Sequence, residues 1–315
     1  MKRAPPALTQ AHPHPVAADL VAVLAAVAGA EPLVLTTGQG SLLPSGPFQL
    51  GHRSLQAGLR AWVEQQTHHP LGYVEQLYTF ADRDRTEQGG EQRIISISYL
   101  GLTRQSATSS AEAAWHGWYR YFPWEDRRTP SVAADPPIAA GLRQWARDAG
   151  SAKERQTRTQ RAQICFGLQG RPWNEDLVLQ RYELLYEAGL VSEARQRAAA
   201  VAPLPGESMR HDHRRILATG IARLRAKIKY RPVVFELMPP SFTLLQLQQT
   251  MEALAGRFLH KQNFRRLIEQ QALVEDTGVL SSETAGRPAK LFRFRGDVLL
   301  ERALSGSKLP LVRGV

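Results

Sequence analysis

FTLLQLQQTMEALAGRFLHKQNFRRLIEQQALVEDTG, residues 242–278, is the most informative stretch of this 315-residue chain. Thr243 is a residue type that caps helix N-termini, and Leu244, Leu247, Met251 and Leu254 then recur at helical spacing. Gly256 interrupts the pattern. A second helix is predicted over His260–Gln271, with Phe264, Leu267 and Ile268 inward and Lys261, Gln262, Asn263, Arg265 and Arg266 outward. Two helices joined by a glycine turn, the second bearing a row of donors, suit a helix that enters the DNA major groove and donates to base edges and phosphates.

Downstream, Leu273–Thr277 and AGRPAKLFRFR (residues 285–295) read as two strands around a Gly/Ser-containing basic loop, a wing with Arg287 and Lys290 at or near its tip. Both cations are expected to reach the minor groove or the phosphate backbone, and Thr243 is assigned to the same DNA face. The charge distribution agrees. The chain carries a net +11; from Pro205 onward 19 Lys and Arg face 10 Asp and Glu, whereas the first 204 residues hold 21 against 19. A surplus confined to one end points to a polyanion-binding module. RNA is the competing ligand class for such a basic module.

The remaining length leaves room for a second domain, and 43% hydrophobic residues suffice for sizeable cores. One cysteine, Cys165, excludes a disulfide framework and fits a reducing compartment, hence an expected cytoplasmic location. Residues 1–15, rich in Pro and His, read as a flexible arm. Leu20–Ala30 reads as a buried strand rather than a secretory leader, because Asp19 abuts it and prolines separate it from Lys2 and Arg3. No stretch reaches the ~18 apolar residues of a membrane span. Further strands are expected at Pro32–Thr37, Tyr73–Phe80 and Ile94–Leu102, and a helix at Ser54–Gln66 carrying Leu55, Leu59 and Trp62. Strands around a helix imply a layered α/β or α+β domain. Residues 104–175 contain the cluster Trp115, Trp118, Tyr119, Tyr121, Phe122 and Trp124, expected in a core, then a polar helix at Arg143–Arg161. Helices at Asn174–Arg197 and His211–Lys229 follow, separated by a linker at Pro203–Gly206, and Val233–Leu237 reads as a short strand.

LPSGPFQLGHRSLQAGLRAWVEQQTH, residues 43–68, resembles the Nudix box, which runs Gly, five residues, Glu, seven residues, Arg-Glu-apolar-x-Glu-Glu-x-Gly-apolar. With Gly46 aligned to its first glycine, His52 stands for the first Glu, Arg60 is retained, Ala61 replaces the next Glu, and Glu64-Gln65 replaces the Glu pair. Nudix hydrolysis needs several carboxylates on one helix face to hold divalent cations against phosphate oxygens. Glu64 cannot assemble that site with Ala61 and Gln65 beside it, and His52 prefers softer metals. The reading is therefore of a binding scaffold with no catalytic residue, no metal and no required cofactor. Candidate nucleotide contacts are His52, Arg53, Arg60, Glu64 and Tyr78, with Arg60 facing phosphate; the plainer alternative pairs Arg60 with Glu64 along the helix surface. The enzymatic alternative is a divergent pyrophosphatase acting on ADP-ribose or NAD-like dinucleotides through Glu64 and a distant carboxylate such as Glu75.

Taken together, DHRRIL (212–217), FELMPPSFTLLQLQ (235–248), KQNFRR (261–266) and GRPAKLFRF (286–294) are similar to the Nudix-related transcriptional regulators of bacterial NAD metabolism. LPSGPF, LGYVEQLYTF and YFPWED look most like the NadQ branch, related to NrtR. The resemblance implies an α+β chain: a degenerate Nudix domain (16–238, with an inserted segment at about 104–205), a winged helix-turn-helix (239–303) and a tail (304–315). It further implies a homodimeric repressor of NAD-biosynthesis genes on a palindromic operator, sensing NAD, ATP or ADP-ribose.

Overall fold

Val16–Ala28, which contains the apolar run that begins at Leu20, forms β1, the strand around which the first layer is built. The computed structural model describes residues 16–81, 93–105, 112–129, 136–194, 204–281 and 288–297. β1 pairs antiparallel with β2 (Glu31–Thr36) and β3 (Ser45–Pro47) and parallel with β5 (Arg93–Leu102). β4 (Tyr73–Phe80) joins β5, and β6 (Ala114–Gly117) joins β2, giving the order β4-β5-β1-β2-β6.

β1 shows no polar alternation because both of its faces are covered. Leu20, Ala22 and Leu24 pack with Leu59 and Val63 of α1 (Leu55–Thr67). Val21, Val23 and Ala25 belong to the opposite core, with Ile216, Leu217, Ile221 and Leu224 of α5 (His213–Lys227). Gly220 lets α5 lie close to β1, since a Cβ there would sit 2.9 Å from Val23.

The inserted segment folds onto this second core. Trp118, Tyr121, Phe122 and Trp124 are at most 1% exposed, as expected of the aromatic cluster. Three helices follow it: α2 (Pro136–Arg147), α3 (Ala152–Phe166) and α4 (Val178–Glu187). The single helix expected at Arg143–Arg161 is thus two, because the Ser151 hydroxyl accepts from the Glu154 N–H and starts a new one. The expected helix at Asn174–Arg197 stops at Glu187, where Gly189 takes a positive φ of 72°. The linker proposed at Pro203–Gly206 is packed in its described part: Leu204 is buried and its N–H donates to Leu190 O. Val233–Leu237 is a 3-10 helix, not a strand; Val234, Phe235 and Leu237 are buried, a spacing that a turn satisfies and a strand does not.

The C-terminal helices are α6 (Leu244–Ala255) and α7 (Lys261–Gln271), followed by the antiparallel pair β7 (Val274–Ser281) and β8 (Ala289–Phe294). α6 lies on β1 and β2, and Leu247, Leu254, Phe264 and Ile268 continue the core begun by β1. Leu267 departs from expectation: it is 48% exposed, on the flank of α7 rather than beneath it. Among the described residues no helix is long and apolar enough to cross a membrane. The N-terminal arm, Arg287 and the tail at 304–315 lie outside the described residues.

Candidate nucleic-acid interface and nucleotide site

α6 begins with a reciprocal cap. Thr243 Oγ1 accepts from Gln246 N at 3.1 Å while Gln246 Oε1 accepts from Thr243 N at 2.7 Å. Thr243 is 7% exposed and its hydroxyl is held within this cap. It therefore sets the start of α6 rather than offering a donor outward, a correction to its place on the DNA face.

The turn between α6 and α7 is pinned by a buried polar clasp that the sequence reading missed. Glu252 Oε1 accepts from Leu259 N (2.9 Å) and from Gln248 Nε2 (2.8 Å), and Gln248 Nε2 also donates to Leu259 O. The i, i+4 spacing of Gln248 and Glu252 was the available signal, but only burial distinguishes it from a surface pair. Beyond the clasp, Phe264 and Ile268 anchor α7, and Lys261, Gln262, Asn263, Arg265 and Arg266 are all exposed. These five donors form the outward row predicted from the spacing. In the wing, Lys290 is 67% exposed, opposite Leu280 at the loop end of the β7–β8 pair, and bonds Asp276 at 2.8 Å. That hydrogen bond raises the Lys290 pKa and lowers that of Asp276.

The five candidate nucleotide contacts are less unified. The Arg60 guanidinium donates to the carbonyls of Leu71 and Gly72 (3.1 Å to the latter), fastening α1 to the start of β4; it makes no pair with Glu64. His52 Nδ1 accepts from Gln49 N (3.1 Å), and its ring lies 5.8 Å from Phe48 and 6.3 Å from Trp62. Arg53 and Glu64 are exposed. Tyr78 is 60% exposed on β4 with its ring against Phe80, and no described hydrogen bond or ring contact joins it to the other four. The residues present do not fit a Nudix metal site: Glu64 is the one acidic residue of α1, and among the described residues no group of three His, Cys, Asp or Glu is placed to hold an ion. Glu75 is engaged by Lys227 and by the Tyr73 hydroxyl (2.5 Å).

A second missed feature links the two layers. Glu125, Arg181 and Arg225 are fully buried; the Glu125 carboxylate bonds Arg181 Nη2 and Arg225 Nη1, each at 2.7 Å. Burial would raise the Glu125 pKa, and the two guanidiniums more than reverse this, leaving it below the usual carboxylate value. Arg225 also donates to Leu254 O (2.8 Å), Tyr119 OH to Ala253 O (2.6 Å) and Arg127 N to Gly256 O (2.6 Å). The end of α6 is therefore seated on a buried ionic cluster of the sheet domain.

Residues 234–294 match the family model of the NrtR DNA-binding winged helix domain. The C-terminal module is a winged helix of that type. Over 84 residues, 26% of this chain, the sequence is 43% identical to the ADPR responsive transcriptional repressor NtrR of Acinetobacter baylyi, and the match spans about a third (33%) of that relative's length. Among solved structures, Shewanella oneidensis NrtR complexed with a 27mer DNA superimposes with a TM-score of 0.53 at 20% identity, covering 89% of this chain and 94% of that one. A MutT/nudix family protein from Enterococcus faecalis gives 0.53 at 14% identity, over 91% and 89%. At these identities the likeness establishes the fold, a Nudix domain followed by the NrtR-type winged helix, as the sequence led us to expect.

Proposed function

We propose that this chain is a transcriptional repressor of NAD-biosynthesis genes that binds a palindromic operator as a homodimer and responds to an adenine nucleotide. The observation that carries the reading is the exposed donor row of α7, held by the Gln248–Glu252 clasp within an NrtR-type winged helix. In a symmetric dimer two such helices spaced by about one DNA turn, ~34 Å, would match two half-sites. ADP-ribose is favoured as effector by the name of the Acinetobacter relative; NAD and ATP share its adenosine and phosphates. Within the sheet domain Arg53, at the start of α1, and Tyr78, on β4, keep free surface for a ligand, and His52, Arg60 and Glu64 shape the loop and helix beside Arg53. The isolation of Glu64 and the engagement of Glu75 by Lys227 speak for binding without hydrolysis.

A nucleotide can change operator affinity only by favouring one placement of the α7 helices over another. α5 and the 3-10 helix Val233–Leu237 connect the sheet domain to α6 and are the transmitting elements in this reading. The test is a titration of the protein onto DNA from upstream of its own gene, with NAD, ATP and ADP-ribose added in turn. One nucleotide is expected to shift the operator affinity. Binding of all three without any shift would overturn the sensing scheme, no retention of duplex DNA would overturn the repressor, and steady AMP release with magnesium would favour the pyrophosphatase.

A further inference from the structure

A cavity of about 550 Å³ opens where the sheet domain meets the winged helix, in the range of ~300–1,000 Å³ usual for small-molecule sites. Its walls come from Tyr73 at the start of β4, Arg104 just past β5, the end of α5 with the 3-10 helix and the stretch up to Phe242 that follow it, and Arg293 and Phe294 of β8. Four cations line it, Arg104, Lys227, Arg231 and Arg293, against one acid, Glu236. Lys227 is paired with Glu75 and Arg293 with Glu275, whereas Arg104 and Arg231 are exposed and make no ion pair among the described residues. Burial first, and the Arg231 charge second, lower the Lys227 pKa. The apolar part of the wall is aromatic. Phe294 is stacked on Phe235 at 4.2 Å between centroids, and both it and Tyr73 are partly open to the cavity.

We propose that this seam cavity binds a phosphorylated small molecule of the nucleotide class, Arg104 and Arg231 taking the phosphates and the Tyr73 and Phe294 rings flanking the planar part. Guanidinium groups suit phosphate because their forked donors meet two oxygens at once. A ligand here touches β4, α5 and β8 together, so its affinity depends on how the winged helix is set against the sheet domain. This rests on the proposal of a nucleotide-responsive regulator and adds a set of phosphate contacts at the seam to the surface beside α1.

The experiment is calorimetric titration of the full chain with ATP, ADP-ribose and pyrophosphate, with adenosine as the phosphate-free control. It compares wild type, the double variant Arg104→Ala/Arg231→Ala and the charge-retaining Arg231→Lys. At least a tenfold loss of nucleotide affinity is expected in the double variant and a smaller loss in Arg231→Lys, with the melting temperature and ligand-free operator binding unchanged. Unaltered nucleotide affinity in the double variant, with loss on Arg53→Ala instead, would overturn the seam site and leave the sensing proposal standing. Weakened operator binding without any change in nucleotide affinity would assign the cations to DNA phosphate and equally overturn the site. If wild type binds none of the three phosphates, the seam site and the sensing proposal fall together, while DNA binding stands on its own measurement.

Discussion

Replacing Glu125 by glutamine removes one charge from a place with no access to water. Glu125, Arg181 and Arg225 are all 0% exposed, so neither guanidinium can turn to solvent when its partner is lost. The amide keeps one acceptor oxygen and turns the other position into a donor, which then faces a guanidinium N–H. Breaking a buried pair by removing one partner costs about 3–5 kcal/mol, because the remaining charge stays desolvated. That is a large part of the ~5–15 kcal/mol that holds an ordinary domain folded, and corresponds to a melting-point fall of roughly 10 °C. The measurement is equilibrium urea unfolding followed by circular dichroism, with Arg161→Ala as the internal comparison. Arg161 and Glu187 make a pair of similar length, 2.6 Å, but are 43% and 49% exposed, so this loss is expected to stay under about 1 kcal/mol. Because Arg225 also holds Leu254 O at the end of α6, the Glu125→Gln variant is expected to bind operator DNA more weakly as well. A destabilisation below about 1 kcal/mol, equal to that of the surface pair, would refute the argument that this cluster is dry and seats the winged helix.

Three further outcomes are expected. His213 is buried, its Nδ1 accepts from Leu43 N at 2.9 Å, and burial, aided by the charges of His211 and Arg210, pushes its pKa down to about 3. The unfolded chain takes up that proton near pH 6.5 and the folded one does not, so stability should fall on acidification from about 6.5 toward 3, by at most ~1.4 kcal/mol per pH unit from this group. His213→Asn, which can still accept from Leu43 N, should flatten that slope in urea unfolding at graded pH; an unchanged slope would count against it. Gly256→Ala should destabilise by about 2 kcal/mol or more, since φ is +68° and the added Cβ would run into Glu125 O; a thermal melt within a degree of wild type would contradict this. Arg265→Ala or Arg266→Ala should weaken operator binding by about 1–3 kcal/mol where the side chain reads a base, with unchanged melting. Full affinity in both variants, in gel shifts at fixed salt, would remove α7 from the groove.

Much of the architecture was legible because it depends on local spacing. The strand β4 was read at Tyr73–Phe80, its observed bounds, and α1, α6 and α7 were found from i, i+3 and i, i+4 apolar positions and a capping residue. The five exposed donors of α7 were legible for the same reason: once two positions of a helix are inward, the outward ones follow from its period. Where a local rule had rivals, the reading failed. Val233–Leu237 has strand-like residues but pairs with no strand among the described residues, and its burial spacing makes a 3-10 turn. Arg60 carries the Nudix-box pattern, yet which acceptor it meets depended on where β4 begins, and it meets the carbonyls of Leu71 and Gly72.

The chain order of residues sets out two modules, an apolar central strand with two covered faces and a basic helix pair with a wing, because hydrophobic periodicity and charge are properties of neighbours along the sequence. What depended on the tertiary structure is every contact between residues far apart: Glu125 with Arg225 across a hundred positions, α6 against β1 and β2, and a cationic seam lined from β4, α5 and β8. A charged residue reads the same in a sequence whether water or another charge will be its partner, and packing decides which.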